Sequence, residues 1–154
     1  MFEREYLFNP FMLKTCSDEE LSKQINLLAD NYIYDSDLAP DIVFNINLES
    51  DLLTIYGEFI ARLTERVLLI KLDADRVEDK AVFELRNDWV KTNDGKAPNL
   101  DYFKAQASAV VEDKRKKQYE YQAMLERFKK AYDSLETKQN ALKKKLELIK
   151  YELS

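Results

Sequence analysis

The stretch that decides the fold is LERFKKAYDSLETKQNALKKKLELIKYEL, residues 125–153. Its mostly apolar stripe recurs at alternating steps of three and four residues: Leu125, Phe128, Tyr132, Leu135, Gln139, Leu142, Leu146, Ile149 and Leu153. A 3.5-residue period is typical of helices that supercoil about one another, because a straight helix of period 3.6 turns such a stripe away from its partner. The sequence therefore predicts long helices that pack along their length.

Composition supports this prediction and argues against an enzyme. Two Gly and three Pro in 154 residues leave few turns, and 34% charged residues beside 45% apolar residues indicate apolar stripes rather than a thick core. The chain has no His and one Cys, Cys16, so the commonest general base and a Cys-rich zinc site are missing. Gly57 and Gly95 are too far apart to cradle a phosphate. We expect no catalytic residues, no metal and no cofactor.

Start and stop signals divide the chain into helices. Ser17 followed by Glu20 is a capping box that opens a short helix. Asn47 is a candidate cap for a long helix over residues 48–93, while residues 41–47 are ambiguous. Residues 93–99, NDGKAPN, contain Gly95, Pro98 and further residues that disfavour a helix, so they mark a turn.

Two further helices are expected after the turn. Asn99 is a candidate cap for a short helix over residues 100–111, and a last helix covers residues 113–153. The predicted fold is all-α, an elongated antiparallel hairpin of two long helices, with a short N-terminal helix and a short helix at the turn. We assign residues 1–46 to an acidic N-terminal helix and connector, and residues 47–154 to the hairpin.

The first long helix carries more apolar surface than one neighbouring helix can cover. We therefore expect a homo-oligomer whose interface includes Leu68, Leu69, Val82 and Phe83. No 18-residue apolar run and no secretory pattern is present, so we expect a soluble intracellular protein without a membrane partner.

Charge is distributed unevenly along the chain. Residues 1–60 carry 3 basic and 12 acidic side chains, whereas residues 113–154 carry 12 and 7. Such asymmetry indicates an anionic partner at the basic end. The acidic end suits either docking of a basic partner or mimicry of nucleic acid, and the residues do not separate these two readings.

Basic side chains beside aromatic ones are typical of proteins that bind single-stranded nucleic acid, since cations contact phosphates while rings stack on bases. One such group is the run 114–117 next to Tyr119 and Tyr121, and a second surrounds the turn near Trp89. Core packing is the favoured role of Trp89. The candidate DNA-binding residues are Arg86, Lys91, Lys96, Lys104, Lys114, Arg115, Lys116 and Lys117. The alternative is a solvated coiled-coil face.

The order of these features resembles the UvsY-type recombination mediators of phages, over roughly residues 20–153. The resemblance rests on Ile33, Tyr34, Asp35 and Ser36, on Tyr56 with Phe59, on the segment 83–89, on Asp94 with Gly95, on Asp101 with Tyr102, and on Asp113 with Lys114 before the last helix. Arg86 matches the second member of the family's basic pair. Glu84 stands where the family has Lys, and about two helical turns are added between Ser36 and Tyr56.

The resemblance implies a protein that binds single-stranded DNA non-specifically and loads a strand-exchange recombinase onto DNA coated by a single-stranded-DNA-binding protein. It also implies a homo-oligomeric ring in the cytoplasm of a bacterial host, and a role in DNA recombination and repair. The alternative is a structural or chaperone-like coiled-coil hairpin, prefoldin-like or a virion assembly factor, without DNA binding.

Overall fold

A computed structural model describes residues 8–154 and contains three α-helices there. They are α1 (Asp18–Asp30), α2 (Ala39–Thr92) and α3 (Leu100–Glu152), after one 3-10 turn at Pro10–Met12. The described residues contain no strand. The expectation of an all-helical chain with two long packed helices is therefore confirmed, although the first seven residues of the predicted segment 1–46 lie outside the described part.

The chain forms two compact units. The first comprises Met1–Ala61 and Glu126–Ser154, and the second comprises Arg62–Leu125. Within the first unit α2 and α3 run antiparallel, since the ring of Phe128 stacks on Phe59 at 5.1 Å while the later Gln139 reaches the earlier Ile46. In this unit the heptad stripe of α3 finds its partner within the same chain.

The first unit also buries α1. The Ser17 hydroxyl accepts a hydrogen bond from the Glu20 amide at 3.2 Å, which confirms the predicted helix start. Leu21 and Leu28 of α1 are at most 1% exposed. They belong to one cluster with residues of α2: Leu48, Leu52, Ile55 and Phe59. Apolar burial on the scale of about 25 cal/mol per Å² holds this short helix in place.

The predicted start of α2 at Asn47 is wrong, because the helix begins at Ala39. Pro40 reads as a helix stop, yet Pro fits the first turn, where its missing N–H has no intrahelical partner. The Ser36 hydroxyl accepts from the Leu38 amide at 3.2 Å and donates to Asp41. Asn45 holds the connector from within the helix, accepting from the amide of Ile33 at 3.0 Å and donating to its carbonyl at 2.7 Å.

The predicted division of the last part into helices 100–111 and 113–153 is also wrong. The helix is continuous from Leu100 to Glu152, since no Gly or Pro interrupts it. Its start agrees with the prediction, because Asn99 accepts from the Tyr102 amide at 3.2 Å. At the other end Leu153 lies beyond the helix and is 83% exposed, so it does not join the packed stripe.

Gln139 is the polar member of the heptad stripe and is 6% exposed. Its amide nitrogen donates to the Ile46 carbonyl at 3.1 Å and to the Ser50 hydroxyl at 2.6 Å, while its oxygen accepts from Lys143 at 3.1 Å. A shifted pairing would leave this buried amide without partners, which costs about 1–3 kcal/mol. Gln139 therefore fixes the register of α2 and α3 within the first unit.

Truncation of Leu28 tests the packing of α1. We expect Leu28→Ala to lower the free energy of unfolding by about 2–5 kcal/mol, because the cavity left behind cannot fully close. The matched control is Leu27→Ala, since Leu27 is 39% exposed. Urea unfolding of both variants checks this, and equal losses would mean that α1 is not packed as described.

Candidate nucleic-acid interface

All eight predicted DNA-binding residues lie in the second unit. Six of them are exposed, and they come from the end of α2, from the connector 93–99 and from two parts of α3: Arg86, Lys91, Lys96, Lys104, Lys116 and Lys117. Helix ends and the connector position four of these six side chains around the turn. The candidate surface is therefore formed mainly by the turn, with Lys116 and Lys117 farther along α3.

The other two residues are engaged in ion pairs with α2. The guanidinium of Arg115 donates to Asp75 at 2.6 Å and to Glu78 at 2.7 Å, and also to Gln118 at 3.1 Å. Lys114 donates to Asp73. The four-residue basic run of the sequence is thus divided into a paired half and an exposed half.

The ion pairs that Lys114 and Arg115 form with Asp73, Asp75 and Glu78 make up a polar layer between α2 and α3. In this layer each charged group favours the charged form of its partner. The hydrogen bond from Lys114 holds the pKa of Asp73 below its usual range. The hydrogen bonds to Asp75 and then to Glu78 raise the pKa of the Arg115 guanidinium. A phosphate would have to displace two carboxylates from Arg115, whose side chain is 24% exposed. Within the second unit, Lys114 and Arg115 serve the pairing of α2 with α3.

Lys116 and Lys117 line a shallow groove of about 450 Å³ along α3, together with Tyr121. Asp113 and Glu120 line the same groove, so its charge is mixed. The groove brings cations and an aromatic ring together, but its carboxylates oppose phosphate binding. Binding of phosphates therefore requires the exposed cations around the turn in addition to those of the groove.

Aromatic rings near the turn have different roles. Trp89 is half-buried and packs on the cluster of Val82, Phe103 and Ala107, which confirms the predicted packing role. Tyr102 is 47% exposed and meets Phe103 edge-on at 5.3 Å. Tyr119 is 64% exposed. Tyr102, Tyr119 and Phe83, which is 66% exposed, are therefore the exposed rings of the second unit.

The predicted oligomer surface needs one correction. Leu68, Leu69 and Phe83 are each more than half exposed, whereas Val82 is 8% exposed and lies in the core of the second unit. Leu72 and Val90, which lie outside the predicted set, are each 56% exposed. Their signal is a second heptad on α2: Leu69, Leu72, Arg76, Asp79, Phe83, Arg86 and Val90, all exposed.

Neither a metal centre nor a membrane span is found in the described part of the chain. Residues 8–154 hold no group of three or more His, Cys, Asp or Glu side chains arranged to bind a metal ion. None of the helices described there combines the length and the apolar character needed to cross a bilayer.

Arg115→Met tests whether the polar layer stabilises the fold. We expect the free energy of unfolding to fall by about 1–2 kcal/mol, because Asp75 and Glu78 lose their shared partner. Lys117→Met is the matched control, since Lys117 is exposed and lies only two residues farther along α3. Guanidine unfolding would introduce salt, so urea is the denaturant of choice, and equal stability of the two variants would contradict the assignment.

No family model, no curated protein and no solved structure matches the chain.

Proposed function

We propose that this protein binds single-stranded DNA without reading its sequence and acts as a recombination mediator that helps to place a strand-exchange recombinase on it. One observation carries the DNA-binding part. Six of the cationic side chains that the second unit exposes are predicted DNA-binding residues, and two of these, Lys116 and Lys117, lie beside Tyr119 and Tyr121. Cations that contact phosphates and rings that stack on bases are sufficient for sequence-independent binding.

The mechanism involves no catalytic step. Arg86, Lys91, Lys96 and Lys104 contact phosphates around the turn, and Lys116 with Lys117 extends the path along α3. Glu84 stands where the UvsY-type family has a Lys. Its Oε1 lies 3.9 Å from Lys80 Nζ, so its negative charge is partly balanced. Each contact is weak alone, and several copies acting on one strand raise the overall affinity.

The recombinase, the single-stranded-DNA-binding protein and the ring belong to the proposal through the likeness to UvsY-type mediators. Self-association has its own support in the exposed heptad of α2. An antiparallel pairing with a second copy places Leu72 opposite Phe83 and Arg76 opposite Asp79. Twofold symmetry repeats both contacts, so these central positions are complementary, whereas the outer pair of the same register, Leu69 with Arg86, is not.

Salt and charge reversal test the DNA-binding proposal. We expect binding to a fluorescent oligonucleotide to weaken steeply with salt, with a logarithmic slope of about −4 if all six cations contact phosphates. Lys116→Glu with Lys117→Glu should weaken binding by about tenfold or more at low salt.

The matched control changes the same charge elsewhere, as Lys14→Glu with Lys23→Glu, at two exposed residues of the first unit. It should bind DNA nearly as the parent does. DNA binding that is absent at low salt, or that ignores salt, refutes the proposal.

A charge exchange tests the proposed self-association. Arg76→Asp places acidic side chains opposite each other and should weaken the association by about tenfold, as like charges repel across an interface. Adding Asp79→Arg restores opposite charges in the same register and should restore association, measured by sedimentation equilibrium. Failure of the double variant to recover would exclude this register.

The exposed apolar side chains of α2 also favour a second candidate, a structural or chaperone-like coiled-coil protein. Leu68, Leu69, Leu72 and Phe83 are all more than half exposed, which suits an assembly role without DNA. This candidate predicts oligomers that neither bind nor are altered by single-stranded DNA. Light scattering with and without an oligonucleotide distinguishes the two functions.

A further inference from the structure

The first unit contains a cavity of about 340 Å³ that the proposed function does not use. Its wall combines residues of α1, the connector 31–38, α2 and α3. Tyr32, Tyr34 and Tyr56 supply aromatic surface, Leu52 and Leu135 supply aliphatic surface, and Glu49 supplies a carboxylate. Tyr34 is 71% exposed, so the cavity reaches solvent beside this ring.

Glu49 is the unusual member of the wall because its side chain is 1% exposed. Its Oε1 accepts a hydrogen bond from the Tyr32 hydroxyl at 3.2 Å and lies 3.8 Å from the Lys138 ammonium. Its Oε2 is shielded from solvent and has no hydrogen-bond partner. A buried acceptor without a donor is costly, so this oxygen favours a ligand that donates to it.

The electrostatics of the site follow from this burial. Removal from water raises the pKa of the Glu49 carboxyl, and the nearby Lys138 only partly opposes this. Burial, with the charge of Glu49 next, raises the pKa of Tyr32 to about 12. The Tyr32 hydroxyl therefore remains a donor at neutral pH, and it leaves Oε2 as the acceptor that is still unfilled.

The cavity already accommodates one ammonium group at its edge. Lys138 Nζ lies 3.8 Å from the centroid of the Tyr32 ring, a cation–π contact. The ring of Tyr34 lies 4.9 Å from that of Tyr32. The Lys138 side chain is 48% exposed, so its ammonium can move into solvent and leave its place beside the carboxylate and the Tyr32 ring to another cation.

The charge of the first unit has the sign that such a ligand requires. Residues 1–61 and 126–154 together carry 11 basic and 17 acidic side chains. This surplus of carboxylates attracts cations toward the unit.

We propose that this cavity binds an alkylammonium or guanidinium group, which takes the place of the Lys138 ammonium, donates to Glu49 Oε2 and rests its carbon chain on Leu52 and Leu135. Aromatic rings with a carboxylate are the usual chemistry for organic cations. The cation belongs either to a free amine or to a basic side chain of a protein, and the two share this chemistry. The site lies entirely in the first unit and is independent of DNA binding.

Calorimetric titration of the full chain with n-butylammonium tests the proposal, with n-butanol as the uncharged analogue of the same length. We expect saturable binding of the cation, at least about tenfold tighter than that of the alcohol, because only the cation pairs with the carboxylate. Glu49→Gln keeps the shape of the side chain and should weaken cation binding by about tenfold.

Glu136→Gln is the matched control, since it removes an exposed carboxylate of α3 in the same unit. It should bind the cation as the parent does. Tyr34→Leu, at an exposed position, should weaken binding by about threefold without loss of fold, which circular dichroism checks. Thus the test does not depend on the folding of the Glu49 variant.

Comparison of butylammonium with a Gly-Lys-Gly tripeptide that is acetylated and amidated at its ends separates the sources of the cation. Tighter binding of a Gly-Lys-Gly tripeptide than of butylammonium assigns the site to a side chain of a protein, and the reverse order assigns it to a free amine. The proposal is overturned if butylammonium does not bind, if butanol binds equally well, or if Glu49→Gln and Tyr34→Leu both bind the cation as the parent does.

Discussion

The packing of α3 against α2 is the interaction on which the other features depend. Both helices exceed 50 residues, and the breakers between them lie in residues 93–99. A helix of this length is stabilised mainly by burial of its apolar face, because propensity alone contributes little per residue. In each unit the antiparallel pairing buries that face, and the polar residues within the stripe then have to find partners across the pair.

Those polar residues explain why each unit has a defined register. In the first unit Gln139 donates to the backbone and to Ser50 of α2. In the second, Arg115 joins Asp75 and Glu78, with Gln118 beside it. Gln139 and Gln118 are buried and Arg115 is partly buried. Polar groups removed from water are costly when unpaired, so these residues select one alignment among several apolar ones.

The same pairing decides which charges and which apolar groups are left for partners. It pairs Lys114 with Asp73 and Arg115 with Asp75, and it leaves Lys116 and Lys117 exposed. It buries Val82 and leaves Leu72 and Phe83 at the surface. In the first unit it buries Glu49 in the wall of a cavity that Tyr32, Tyr34 and Tyr56 also line. The surfaces available to partners are thus formed by the side chains that the packing of α2 against α3 leaves exposed.

The sequence by itself determined the helical class, the heptad stripe, the turn at residues 93–99 and the caps at Ser17 and Asn99, because these depend on local chemistry and spacing. It misplaced the start of α2, since the contacts of Asn45 with Ile33 cross the connector, and it divided α3 although no Gly or Pro interrupts that helix. Glu49 carried one signal, an acid on the apolar face of α2, but its neighbours Tyr32 and Lys138 are 17 and 89 residues away. Only the tertiary structure decided which cations are paired and which carboxylate is buried, because both follow from distances between helices rather than from spacing along one.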